Sequence, residues 1–167
     1  LEKILDQLDQ RDIHFVIATG NEVHRMRQLL EHLASRVALV VANGARIFEN
    51  NKLIQAQTWD DAMVDKALVH FKGRECRDQF VVTGMKGGFV KKGTVFTDLE
   101  KFMTPEMIEK FYQRMNFVED LQADLFGGVL KMSMVVGEER SSSVLQEIND
   151  LFNGRVRAVS SGYGCID

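Results

Sequence analysis

The chain has 167 residues, with 21 Lys and Arg against 24 Asp and Glu for a formal charge of -3, and 45% hydrophobic content. That balance excludes an intrinsically disordered chain, and no apolar run approaches the roughly 20 residues that a membrane span requires, so a folded, water-soluble protein without a membrane partner is expected. A mildly acidic total, without clustered Lys and Arg to neutralise phosphates, gives no electrostatic basis for a nucleic-acid partner.

The first predicted element is a helix carrying Leu1, Ile4, Leu5 and Leu8 on one face. Residues 13–18 are apolar on both faces apart from His14, as in a parallel strand covered by helices on each side, and residues 36–42 repeat that character. Between them Val23, Met26, Leu29, Leu30 and Leu33 recur at helical spacing. The result is a βαβ unit, in which ligands sit at the carboxyl ends of the strands, so the residues after Ala18 and Val41 are the ones to watch.

From about residue 46 the pattern changes. Residues 46–49 and 52–57 flank Asn50-Asn51, a pair that tolerates positive φ and suits a hairpin turn. Asp60 or Asp61 then caps a helix striped with Met63, Val64, Ala67, Leu68 and Phe71. Residues 79–83 and 89–92 form a strand pair around Gly87-Gly88, and Thr104 with Pro105 starts a helix carrying Met107, Ile108, Phe111, Tyr112 and Met115. A strand at 129–136 follows, and Ser143 with Gln146 forms a capping box for a helix through Val144, Leu145, Ile148, Leu151 and Phe152. Residues 155–160 and 163–167 read as strands joined by a turn at Ser161-Gly162. The fold class is α/β, a partial α/β piece followed by an α+β module large enough to bury its own core.

Ala18-Thr19-Gly20-Asn21 lies where a buried strand gives way to a helix. A threonine hydroxyl, backbone N–H groups and a helix amino terminus together suit a phosphate oxygen. The plainer account of the same residues is a Gly20 turn with Asn21 capping the helix. Asn43-Gly44-Ala45 follows the next strand and shares the same sheet edge, although Asn-Gly also makes an ordinary turn.

His14, His24, His32 and His70 are scattered without metal-ligand spacing. Cys76 and Cys165 make no disulfide framework, and with no signal-peptide pattern before them they point to a reducing, cytoplasmic setting. The glycines and lysines of 84–93 read as a solvated hairpin in preference to an anion cradle.

In order and spacing, 15–21 (FVIATGN), 40–48 (VVANGARIF), an inserted α+β module, and 159–162 (VSSG) leading to Ile166-Asp167 resemble the haloacid dehalogenase superfamily. More narrowly the chain is similar to the Cof-type sugar-phosphate phosphatases, whose large cap domain is inserted after the second core motif. The resemblance implies a partial Rossmann-like core at 1–47, a substrate-selecting α+β cap domain at 48–158, and a strand returning to the core at 159–167.

It also implies phosphate binding at Thr19 and Gly20, substrate contacts at Asn21, Asn43 and Gly44, a Mg²⁺ cofactor, and a small phosphorylated metabolite as partner. Relatives use an Asp nucleophile that forms an aspartyl-phosphate, a covalent route by a carboxylate. The DxDGT, Lys and GDxxND motifs of that family are absent from the sequence. The nucleophile, the acid/base and the carboxylate metal ligands are therefore expected before Leu1 and after Asp167, and the 167 residues are expected to be an internal fragment, inactive alone. The alternative is a non-catalytic ligand-binding or regulatory module built on the same cap-like domain.

Overall fold

A computed structural model describes residues 1–97, 99–101 and 103–167. The chain divides into two compact units, Leu1–Thr58 and Trp59–Asp167.

In the first unit, α1 (Glu2–Asp9), β1 (Val16–Ala18), α2 (Val23–Leu30), β2 (Ala38–Val41), β3 (Arg46–Glu49) and β4 (Lys52–Ala56) follow one another. The sheet order is β1-β2-β3-β4, with β1 parallel to β2 and the remaining pairs antiparallel. Only part of each helix face expected from the periodicity supplies the core: Leu5 from α1 and Val23, Met26 and Leu30 from α2 pack on Leu39, Val41 and Phe48, whereas Leu1, Ile4 and Leu29 are exposed. Asn50 and Asn51 take φ of 49° and 61°, the left-handed pair that a tight hairpin between β3 and β4 requires.

Two expectations for this unit are corrected. The division falls between Thr58 and Trp59 and not at residue 47, because the 46–56 hairpin continues the first sheet, with Phe48 opposite Leu39 and Ile47 opposite Val40. The first strand is also not covered on both faces: Val16 and Ala18, which share one face of β1, are exposed, Val16 to 53%.

The second unit contains α3 (Asp61–Phe71), β5 (Val81–Gly84), β6 (Gly87–Lys91), α4 (Pro105–Gln113), β7 (Met115–Val118), α5 (Ala123–Phe126), β8 (Val129–Val135), α6 (Glu138–Phe152), β9 (Ser160–Gly162) and β10 (Cys165–Ile166). Its sheet runs β7-β6-β5-β8-β10-β9. Alternation along β5 and β6 sends Val82 and Phe89 into one cluster with Val64, Phe71, Val144, Ile148 and Phe152 from α3 and α6. Val81 and Val90 enter a second cluster with Phe96, Leu99 and residues of α4.

The starts of α3 and α4 follow the predicted chemistry: the Asp60 carboxylate accepts from the Ala62 N–H at 3.0 Å, and Thr104 Oγ1 from the Met107 N–H at 3.4 Å. Helix α6 begins five residues before the predicted Ser143 cap. Gly137 at φ 82° turns the chain, Glu138 and Glu139 favour the amino end of the dipole, and Ser143 bonds back to the Arg140 carbonyl from inside the helix.

The strand expected to return to the first sheet does not. Cys165 and Ile166 pair instead with Val135 and Met134 of β8, burying Ile166 in the main core of the second unit. Ser161-Gly162 lies within β9, and the turn falls at Tyr163-Gly164, both at positive φ (52° and 71°). Similarly, Gly87 and Gly88 pair within β6, so the preceding turn is Met85-Lys86.

Candidate functional site

Parallel pairing of β1 with β2 brings their carboxyl ends level, and the two turns that follow are bonded to each other. Thr19 donates its N–H to the Val40 carbonyl at 2.9 Å; its own carbonyl accepts from the Asn43 N–H at 3.3 Å, and the Asn21 carbonyl accepts from the Ala42 N–H at 2.9 Å. Gly20 leaves room for this approach: a Cβ there would lie 2.5 Å from Asn43 Oδ1, and the Asn43 side chain would have to shift. Thr19, Gly20, Asn21, Asn43 and Gly44, the five residues singled out from the sequence, thus meet at one sheet edge.

The second turn is conformationally unusual. Ala42, Asn43 and Gly44 take φ of 52°, 56° and 96° in succession. Asn tolerates the left-handed region and Gly enters it freely, but Ala there costs free energy that its surroundings must supply.

Asn21 does not cap α2, as the plainer account had it. Its backbone N–H and its Nδ2 both donate to Thr19 Oγ1 at 3.1 Å, while Glu22 occupies the N-cap position without a side-chain cap bond. With two donors on its oxygen, the Thr19 hydroxyl has its own proton left to donate. A hydroxyl donor beside an uncapped helix amino terminus is chemically suited to an oxyanion.

Glu22 and Arg46, which the sequence reading did not assign to the site, flank the two turns and form an ion pair, Arg46 Nη2 donating to Glu22 Oε2. The Arg46 side chain is 9% exposed and its guanidinium also lies 5.7 Å from the Phe48 ring centre. The available signal was positional: each residue comes immediately after a turn.

Other sequence candidates acquire structural roles. His70 Nε2 lies 2.5 Å from Glu147 Oε1, and His32 lies 3.5 Å from Glu2 on the surface. Burial raises the Cys165 thiol pKa, which makes it a poor nucleophile. In the 84–93 hairpin, Lys86 bonds the Asp124 carbonyl, Lys91 pairs with Glu75, and Lys92 pairs with Glu119, so these lysines already have partners.

The residues of this chain do not by themselves fit a Mg²⁺ site. The polar groups at the turns are neutral, the adjacent Glu22 is engaged by Arg46, and no cluster of three His, Cys, Asp or Glu suited to a metal occurs among the described residues. No helix among the described residues is long and apolar enough to cross a membrane.

The mixed α/β architecture matches the fold of solved haloacid dehalogenase-like hydrolases. The chain belongs to the haloacid dehalogenase-like hydrolases, whose family model matches residues 1–167. Among curated proteins it is 35% identical over 68 residues to a "Putative phosphatase" of Buchnera aphidicola subsp. Baizongia pistaciae, covering 40% of this chain and 26% of that protein. A solved structure from Streptococcus mutans UA159 superposes with a TM-score of 0.77 at 24% identity over 99% of this chain and 60% of its own. Another, a haloacid dehalogenase subclass IIB sugar phosphatase, gives a TM-score of 0.61 at 16% identity over 99% of this chain and 59% of its own. The chain therefore spans about three-fifths of the solved structures it matches and about a quarter of the curated relative.

Proposed function

We propose that this chain is part of a Mg²⁺-dependent phosphatase of small phosphate esters such as sugar phosphates, acting in the cytoplasm. In this reading the Thr19 hydroxyl, with Gly20 beside it at the amino end of α2, holds a phosphate oxygen. Asn21, Asn43 and Gly44 contact the rest of the substrate, and the Trp59–Asp167 unit acts as the cap domain that selects among substrates.

The observation that carries the reading is the pair of Asn21 donors on Thr19 Oγ1, which leaves the Thr19 hydroxyl proton to donate beside the amino end of α2, at turns that are bonded to each other. The family membership and the phosphatase names carried by two relatives support it. In the whole protein an aspartate nucleophile and its acid/base partner supply the chemistry, along with the carboxylates that hold Mg²⁺. The 167 residues alone bind without turning over, since removal of a covalent nucleophile leaves little beyond binding.

The test is phosphate release by the longer gene product with Mg²⁺ from p-nitrophenyl phosphate, hexose phosphates, FMN and pyridoxal phosphate. Hydrolysis of at least one ester is expected, with none by the 167-residue chain. Absence of turnover across the panel contradicts the proposal.

A further inference from the structure

We infer that Glu22 and Arg46 are a positioning pair for the phosphate-binding turns: their ion pair fixes the 42–44 turn against the 19–21 turn. The inference rests on the phosphate reading above for its functional meaning, and on the following geometry for its substance.

The pair closes a ring. Glu22 directly follows Asn21, whose carbonyl accepts the Ala42 N–H, and Arg46 directly follows Ala45, whose N–H bonds the Ala42 carbonyl at 3.2 Å. Arg46 also stands opposite Val41 in the β2–β3 ladder, at the last residue before the strained turn. The side-chain contact therefore ties the start of α2 to the start of β3, one residue outside the segment that holds Ala42 and Asn43 at positive φ. A strained alanine persists only where its surroundings over-determine it, and no other ion pair among the described residues joins these two segments.

The pair is also chemically odd for a purely stabilising one. Guanidinium and carboxylate can meet through two parallel bonds, yet here Arg46 Nε and Glu22 Oε1 are buried without hydrogen-bond partners, as is Arg25 Nε one helical turn along. Buried polar atoms left unmade oppose folding, so the contact is better explained by where it puts the turns than by its net stabilisation. Its charge matters as well. A carboxylate beside an anion cradle repels the ligand, and the Arg46 cation offsets it.

The test uses the isotope-labelled 167-residue chain, with Ala42 and Asn43 ¹³Cβ shifts reporting the left-handed turn. Inorganic phosphate, titrated against the Thr19, Gly20 and Asn21 amides, reports the cradle. Arg46→Met, which keeps the apolar stem, should move Ala42 and Asn43 off their left-handed shifts and weaken the phosphate response at least tenfold, while the 59–167 amides stay in place. Arg46→Lys should restore part of both effects. If Arg46→Met unfolds the first unit, Glu22→Gln, which keeps the shape, should still disturb the Ala42 and Asn43 shifts. Shifts and phosphate response within twofold of the parent chain in a folded Arg46→Met or Glu22→Gln variant would overturn the inference. A parent chain that ignores phosphate, with Ala42 and Asn43 displaced by Arg46→Met, supports the positioning role and counts against the phosphate reading instead.

Discussion

The two units treat a carboxylate beside arginine in opposite ways. In the second, Asp78 is fully buried and accepts from Arg74 Nε at 2.5 Å, Arg77 Nε at 3.0 Å and Arg140 Nη2 at 2.8 Å. Arg74 then grips Glu147 with two further bonds at 2.6 and 3.0 Å, which links the segment after α3 to α6. In the first, Glu22 has a single guanidinium, and acceptor and donor atoms remain buried and unbonded beside a left-handed alanine. A saturated network anchors elements, whereas an incomplete pair next to backbone strain marks a place where geometry has been favoured over stability.

This contrast can be broken by mutation. Removing Asp78 leaves three arginines facing a buried gap, and Asp78→Ala is expected to cost about 3–5 kcal/mol in urea unfolding of the second unit. Glu22→Gln keeps a hydrogen-bonding partner for Arg46 and should cost about 1 kcal/mol. Equal losses would erase the distinction between the two clusters.

Acid should act on the same network. Burial pushes the Asp78 carboxyl pKa up, but hydrogen bonds from Arg77, Arg74 and Arg140 outweigh it and hold the value at about 2. Arg74, with a smaller contribution from His70, likewise lowers that of Glu147 against its burial. Because the folded value lies below the unfolded one of about 3.9, the Asp78 contribution is fully present above about pH 5 and is lost as pH falls through about 2. The expected loss is about 2–3 kcal/mol, read as a falling urea midpoint. An Asp78→Asn variant should lack that component; an unchanged acid slope in the variant would show that the network is not its source.

The smallest effect sharpens the other side. Ala42→Gly relieves left-handed strain of about 1–2 kcal/mol, while losing a buried methyl worth about 0.8 kcal/mol and adding backbone freedom to the unfolded chain. The sum is close to neutral, so a loss above about 2 kcal/mol would contradict the strained turn.

The sequence made the turns legible because they depend on local chemistry. Thr19-Gly20-Asn21 and Asn43-Gly44 follow strands whose apolar runs are plain, and parallel pairing alone makes their ends neighbours. What stayed hidden depends on partners distant in the chain. Nothing local to residues 46–57 says that their strands extend the first sheet, and nothing in Cys165-Ile166 says that β8 is their pairing partner. A register shift of two residues likewise separates the expected Ser161-Gly162 turn from the observed Tyr163-Gly164. Arg46 reads as an ordinary strand start until Glu22, 24 residues earlier, is seen to meet it.

The central claim is that the Thr19 hydroxyl donates to a phosphate oxygen, and kcat/KM of the longer, Mg²⁺-supplied gene product on p-nitrophenyl phosphate tests it most directly. Thr19→Val keeps the shape and removes the donor, so a loss of about 10²-fold is predicted, while Thr19→Ser should stay within about tenfold of the parent. A Thr19→Val enzyme as active as its parent would contradict the account.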